Sequence, residues 1–286
     1  VLIERDATPN AGEFRESWEK LVKLIDTSAV VFDIGASTRK DDTIPITILR
    51  EVLRRLGYSM HDHIAHFELI LEDQGDYDAF IDIYRQESGK DWSVSKDSPV
   101  APTEFSKCYA KLYPDTYTGP LSWFTTHIND PSVNKKNIHA VVATIKRAMD
   151  RRIPGKTLFI VIDEVSKHLG NDTDKMLKLQ SLVSEIDAEG ENRIWLLVTG
   201  QEKLEDVHKS SVLFKLKDRF PPALRVHLDR TNVKDVVNRR LLLKDNTAIE
   251  PLRKMLDATN ISLLKNHAFG CEDIDKDSLI DTYPVL

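Results

Sequence analysis

The most constraining feature of this sequence is a continuous apolar run at residues 158–162 that is followed directly by Asp163 and Glu164. Such a run is typical of a strand buried on both faces of a parallel sheet, because a half-exposed strand would alternate apolar and polar residues. A second apolar run lies at Ile194–Val198, and apolar residues at helical spacing lie between the two runs, at 176–186. Strand, helix and strand within about 40 residues predict a βαβ unit.

Apolar spacing also predicts the main elements of the rest of the chain. A strand is predicted at 29–34 and another short strand at 224–228. Glycine provides only 11 of the 286 residues, which argues against a turn-rich all-β fold. Helices are predicted at 14–25, 46–56, 64–71, 77–84 and 138–149. The sequence therefore predicts an α/β fold built on a parallel sheet.

Residues 88–134 differ in composition from their surroundings, because they combine five of the 12 prolines with several aromatic residues. Aromatic side chains need burial, so this stretch is interpreted as a helical insertion with its own packing rather than as disorder. Helical spacing resumes after the short strand at 224–228. The predicted organisation is a core at 1–230 that carries the insertion, followed by a small helical lid and tail at 231–286.

Charge and cysteine content limit the classes of protein to which this chain can belong. The 40 basic and 46 acidic residues give a net charge of −6, so the chain is not a uniformly basic nucleic-acid binder. Its two cysteines, Cys108 and Cys271, lie far apart and give no disulfide framework, which favours a reducing, cytoplasmic location. No apolar run has the length of a membrane span, so no membrane association is expected.

The apolar run with its two carboxylates matches the Walker B arrangement of P-loop ATPases. Ligands of open α/β sheets bind at the carboxyl ends of the strands. There Asp163 would hold Mg²⁺, directly or through water, and Glu164 would polarise the water that attacks the γ-phosphate of ATP. In the structural alternative, Asp163 caps the following segment and Glu164 is merely solvated.

Polar and basic residues further along the chain are candidates for contacts with phosphate. Thr199 and Gln201 follow the neighbouring strand, where a polar side chain would contact the γ-phosphate or the attacking water; an ordinary turn is the alternative. Arg219 is a candidate arginine finger, and Arg240 is a candidate phosphate sensor on the lid. Both arginines lie in charged stretches, so a solvated surface is the alternative for each.

The sequence contains no phosphate-binding loop of the Walker A type, G-x-x-x-x-G-K-[ST] between a strand and a helix. Its one Gly-Lys-Thr, at 155–157, has Asp150 where the first glycine is required. The threonine also runs directly into the predicted strand instead of opening a helix. Residues 1–29 contain no such loop, so we expect either a loop upstream of Val1 or a degenerate site.

Three stretches, residues 158–165, 176–183 and 194–202, resemble the large P-loop proteins of the bacterial BREX phage-defence system, the BrxC/PglY family. Residues 218–220 and 239–242 are also similar to that family, and Gly200 departs from its Thr-Ser-Gln sequence at this position. The resemblance implies a three-layer AAA+-like or STAND-like ATPase region that binds ATP and Mg²⁺. It also implies homo-oligomerisation, contacts with other subunits of the defence complex, and a role on foreign DNA.

The sequence therefore predicts an ATP-binding and ATP-hydrolysing component of a BREX defence system. One alternative is a degenerate P-loop scaffold that binds partner proteins or DNA without ATP turnover. Another is an origin-recognition-like DNA-binding ATPase. That function would require a winged-helix module after the lid, for which residues 261–286 are too few and too acidic.

Overall fold

The structure, a computed structural model, describes residues 11–117, 119, 137–170, 172–200, 219–226, 242, 244–257, 277, 280 and 283. The chain divides into two units, Val1–Pro221 and Pro222–Leu286. The sequence predicts the boundary slightly later, at 230/231. Of the helices described, none combines the length and the apolarity needed to cross a bilayer.

The first unit is built on a parallel sheet of three described strands in the order β1-β2-β3. These strands are β1 (Thr27–Asp33), β2 (Thr157–Asp163) and β3 (Ile194–Val198). In register, Asp33 lies opposite Asp163, and Ile162 lies opposite Val198. The parallel sheet and all three of its strands are confirmed at the positions that the apolar runs predicted.

The helices of the first unit follow the predicted apolar spacing closely. The third helix also has the predicted start and stop signals. Pro45 lies in its first turn, and Gly57, which follows the helix, has a left-handed conformation with φ 87°. The helices are α1 (Ala11–Leu24), α2 (Ile34–Ser37), α3 (Ile44–Arg55), α4 (Asp62–Gln74), α5 (Tyr77–Ser88), α6 (Trp92–Ser95), α7 (Ala101–Leu112), α8 (Ile138–Arg152), α9 (Val165–Leu169) and α10 (Thr173–Glu189).

One face of the sheet is covered by α3, α8 and α10, which also pack against one another. Consecutive strands advance across the sheet in one direction, so right-handed crossovers bring their connecting helices to the same face. Fully buried helix residues such as Val52, Ile145 and Leu179 meet the strands there. The strand side chains on this face are Val30, Phe32, Leu158, Ile160, Ile162 and Ile194.

In the part of the chain that the structure describes, the opposite face of the sheet is apolar, with exposed residues on β1 and β3 and half-buried residues on β2. We call it the open face; it consists of Ala29, Val31, Phe159, Val161, Trp195 and Leu197. Val31 is 69% exposed and Trp195 is 45% exposed. On β2 itself, Phe159 and Val161 are half-buried, so the prediction that β2 is fully buried on both faces holds for only one face among the described residues. They form two layers, and the third layer of the predicted arrangement is not among them.

A second hydrophobic core lies in residues 62–117, which we call the helical block. Its centre is aromatic: the Phe80, Trp92 and Phe105 rings lie with centroids 4.8–5.6 Å apart. Within the predicted insertion at 88–134, α6 and α7 are helical as expected and Trp92 is buried. Residues 118 and 120–134 lie outside the described residues. The block begins at α4, earlier than the predicted insertion.

The described part of the second unit is small. Helix α11 (Asn246–Asp257) places Leu256 against Ile280, and Arg253 pairs with Asp277 at 3.3 Å. Pro222–Leu224 forms a short 3₁₀ helix, so the strand predicted at 224–228 is wrong at its described positions. Most of the predicted lid lies outside the described residues.

Candidate active site

Three polar residues end the three strands and meet at the carboxyl edge of the sheet. Asp33 and Asp163 are register partners at the ends of β1 and β2, and Thr199 follows β3 directly. The Thr199 hydroxyl donates a hydrogen bond to Asp163 Oδ1. All three residues are exposed and belong to the strand positions of the open face. The carboxyl edge therefore places a hydroxyl and two carboxylates side by side in one row.

Glu164 follows this row in a left-handed backbone conformation, with φ 58° and ψ 28°. Its amide nitrogen donates to Asp163 Oδ1 at 3.0 Å and approaches Thr199 Oγ1 at 3.3 Å. A left-handed residue other than glycine costs about 1–3 kcal/mol and persists only where surrounding contacts fix it. Here these contacts turn the chain sharply at the end of β2, so that Glu164 leaves the strand in a direction different from that of Asp163.

The backbone around Glu164 is held by the neighbouring strand and by α9. Thr199 accepts from the Val165 amide at 3.1 Å through its carbonyl oxygen and donates to Ile162 O at 3.0 Å through its amide. Val165 and Leu169 are buried and anchor α9 on the core. A Cβ atom at Gly200 would lie 3.0 Å from Ser166 Oγ. Glycine at this position therefore permits α9 to approach the end of β3 closely.

Asp33 is a further candidate site residue, which the sequence patterns did not predict. Its Oδ1 accepts from the Ala36 amide at 2.8 Å, so it caps the short helix α2. The sequence does contain a signal for it, because the apolar run of β1 ends in an aspartate just as that of β2 does. The cap alone would explain an aspartate here, but its register opposite Asp163 adds a second carboxylate to the edge.

Charged groups on α9 and α10 border the same edge. Partial burial lowers the pKa of His168, and the nearby Lys175 lowers it further, whereas Asp33 and Asp172 act in the opposite direction. Lys167 Nζ lies 3.8 Å from Glu164 Oε2, which brings one positive charge to the glutamate.

The structure brings three of the predicted site residues together, namely Asp163, Glu164 and Thr199. Arg219 is exposed, and no hydrogen bond or ion pair of the described residues joins it to these three. Gln201 and Arg240 lie outside the described residues. Their predicted roles in phosphate contact stay predictions.

The Gly-Lys-Thr at 155–157 lies at the opposite end of β2, which confirms that it is not a phosphate loop at this edge. Lys156 pairs with Asp26 at 3.2 Å, and the Thr157 amide donates to Asp26 O at 2.9 Å. Both residues therefore contact the segment that leads into β1.

The basic end of α8 is likewise engaged in ion pairs. Lys146 pairs with Glu191, Arg147 and Arg151 pair with Asp73, and Arg152 pairs with Glu72.

The carboxyl edge could hold a magnesium ion only together with a phosphate ligand. No cluster of three or more metal-ligating His, Cys, Asp or Glu side chains occurs in the described ranges. Mg²⁺ in nucleotide sites, however, takes only one or two carboxylates and completes its octahedron with water and phosphate oxygens. Asp163, with Asp33 beside it, supplies that number of carboxylates. An all-protein calcium or zinc site would need more ligands than this edge provides.

Comparison with known proteins does not assign the chain to a family. No protein-family model matches it, and no solved structure matches it. Any function of the chain is therefore inferred from the geometry of the carboxyl edge and from the resemblance of residues 158–165, 176–183 and 194–202 to the BREX P-loop proteins.

Proposed function

We propose that this chain carries the Walker B side of a P-loop ATPase site and takes part in binding and hydrolysing Mg-ATP. The observation that carries the proposal is the row at the carboxyl edge, in which Thr199 donates to Asp163 and Glu164 is held in a left-handed conformation. Strain of this kind concentrates at functional sites, and the edge is where open α/β sheets bind ligands. The remaining parts of the AAA+-like or STAND-like fold, a third layer and a helical lid, belong to this proposal.

Asp163, Thr199 and Glu164 have distinct tasks in the proposed reaction. Asp163 would hold Mg²⁺, which when bound neutralises negative charge on the phosphates. The hydrogen bond from Thr199 orients the Asp163 carboxylate. To contact a γ-phosphate, the hydroxyl would turn its single proton from Asp163 to a phosphate oxygen. The Glu164 carboxylate would orient the attacking water and accept its proton. Gln201, Arg219 and Arg240 remain proposed phosphate contacts.

The biological setting of this activity is proposed from the sequence resemblance. The chain would act in the cytoplasm as part of a BREX anti-phage complex, with other subunits of that complex as partners. ATP hydrolysis would be coupled to assembly or to a conformational switch on foreign DNA. A plaque assay with a complete BREX gene set tests this setting. We expect Glu164→Gln to abolish protection, and undiminished protection would contradict the role.

The enzymatic test compares two glutamates that share a left-handed backbone but differ in position. Glu164→Gln should lower ATP turnover by about 10²–10⁴-fold, the range for loss of a general base, while Mg-dependent binding of a fluorescent ATP analogue persists. Glu191 is also left-handed, φ 52°, but lies in the turn before β3, at the amino end of the sheet. Glu191→Gln is the matched control and should leave turnover unchanged. Equal turnover in wild type and Glu164→Gln would overturn the catalytic assignment.

The degenerate scaffold is the second candidate, and the observation that favours it is the lack of a Walker A motif in the 286 residues. One measurement on the wild-type chain distinguishes the ATPase from the scaffold. Mg-dependent binding of the nucleotide analogue supports the ATPase. Absence of such binding, with the chain folded by circular dichroism, supports a scaffold without nucleotide.

A further inference from the structure

The chain just after β3 and the start of α9 approach each other so closely that a side chain on one would collide with the other. A Cβ atom at Gly200 would lie 3.0 Å from Ser166 Oγ and 3.1 Å from Ser166 Cβ. The Oγ atom can move away by a change of rotamer, but the Cβ atom is fixed to the backbone of α9. A side chain at position 200 would therefore displace the backbone of α9 itself.

The backbone of α9 joins Ser166 to Glu164. The Glu164 carbonyl oxygen accepts from the His168 amide at 3.2 Å, which closes the first turn of the helix around Ser166. The Val165 amide donates to Thr199 O at 3.1 Å, so the same turn is also tied to the residue that follows β3. A shift of Ser166 away from the end of β3 would therefore stretch the bond to Thr199 and carry Glu164 with it.

We propose that Gly200 is a positioning residue for the proposed ATPase: the absence of a side chain there lets Ser166 pack against the end of β3, and this packing fixes the position of Glu164. The inference rests on the proposed function, in which the Glu164 carboxylate orients the attacking water. Gly200 acts only through Ser166 and α9. The position of the glutamate matters because a misplacement of about 1 Å can cost roughly 10²-fold in rate.

The first variant, Gly200→Ala, adds the colliding Cβ atom and nothing else. Its distance of 3.1 Å from Ser166 Cβ is about half an ångström shorter than an ordinary contact between carbon atoms. A displacement of that size should lower kcat for ATP about tenfold. Mg-dependent binding of a fluorescent ATP analogue should be unchanged, because the catalytic glutamate moves and the magnesium ligand Asp163 does not. Gly12→Ala in α1 is the matched control and should keep wild-type turnover, because a Cβ atom there meets nothing within 4 Å.

A second substitution tests whether the loss comes from this one contact. Ser166→Gly removes both side-chain atoms that the new Cβ atom would meet and leaves only the backbone nitrogen, at an ordinary 3.9 Å. The double variant with Gly200→Ala and Ser166→Gly should therefore regain the lost turnover. Ser166→Ala keeps the Cβ atom at 3.1 Å and should not restore it. Ser166→Gly alone should stay close to wild-type turnover, because Val165 and Leu169 still anchor α9 on the core.

Glu164→Gln, assayed in the same series, separates failure of this inference from failure of the proposed function. If Glu164→Gln lowers turnover and Gly200→Ala does not, the ATPase stands and Gly200 does not position the glutamate. A loss in Gly200→Ala that Ser166→Gly fails to restore, or that comes with loss of analogue binding, would also overturn the positioning role. Wild-type turnover in Glu164→Gln would instead overturn the proposed function, and the role of Gly200 with it.

Discussion

The helical block and the carboxyl edge of the sheet both hold carboxylates at unusual positions, yet they use them in opposite ways. In the helical block, Glu68 is fully buried and both of its oxygens accept from nitrogen donors, Ser59 N at 2.7 Å and Trp92 Nε1 at 2.8 Å. At the carboxyl edge, Asp33 and Asp163 face solvent, and Glu164 stands on strained backbone. The buried carboxyl group of Glu68, with its hydrogen-bond partners inside the protein, contributes to stability. The carboxylates of Asp33 and Asp163 face solvent and are accessible to a ligand.

The largest expected effect on stability is at Glu68. Glu68→Leu leaves the Ser59 amide and the Trp92 indole without their acceptor, and buried unpaired donors cost about 1–3 kcal/mol each. We expect a loss of about 3 kcal/mol in the free energy of unfolding, measured with urea. Asp163→Asn at the edge is the contrasting variant and should change stability by less than about 0.5 kcal/mol, as is usual at exposed positions. Equal losses in the two variants would remove the distinction between the regions.

A pH series sharpens the same distinction. Burial raises the pKa of Glu68, an effect that the Ser59 and Trp92 hydrogen bonds and the charges of Lys96 and Arg152 only partly offset. The folded state therefore holds this proton more tightly than the unfolded state. The stabilisation that comes from binding this proton is fully present below the ordinary glutamate pKa of about 4.3. It is lost as the pH rises through the raised pKa of Glu68 in the folded state.

The stability difference between wild type and Glu68→Leu should consequently shrink from pH 4 towards pH 7. Urea unfolding of both proteins across that range measures it, and the shared titrations of all other groups cancel in the difference. A difference that grows with pH would show that the two hydrogen bonds outweigh burial and that Glu68 folds as a carboxylate.

A smaller effect of opposite sign is expected at Glu164. Glycine adopts φ 58° without strain, so Glu164→Gly should raise the free energy of unfolding by about 1 kcal/mol while removing the proposed water-orienting group. Asn192, φ 57°, is the matched control. Asparagine tolerates the left-handed region, so Asn192→Gly should raise the free energy of unfolding by less than Glu164→Gly does. Thermal unfolding of the two variants gives the comparison, and a loss of stability in Glu164→Gly would mean that its side chain, rather than strain, dominates.

The sequence was sufficient to predict the sheet and much of the edge, because both depend on local patterns. The runs that became β1, β2 and β3 are continuous and apolar, and Asp163, Glu164 and Thr199 follow them directly. The exposure of the open face could not be predicted in this way. A run such as that of β2 reads the same whether one face or both are covered, since burial depends on elements distant in sequence. Asp33 was missed because a capping aspartate and a site aspartate look alike until the strand register places it opposite Asp163.

The smallest expected effect tests whether Asp33 belongs to the edge or only caps α2. Asparagine caps helices about as well as aspartate, so Asp33→Asn should keep the bond to the Ala36 amide and change stability by less than about 0.5 kcal/mol. Burial and Lys175 set the low pKa of His168, and Asp33 opposes them more than Asp172 does. Removing the charge of Asp33 should therefore lower the His168 pKa further, and Asp172→Asn should lower it less. NMR titration of the imidazole measures both shifts. An unchanged His168 pKa in Asp33→Asn would place this carboxylate outside the electrostatics of the edge and leave it only its capping role.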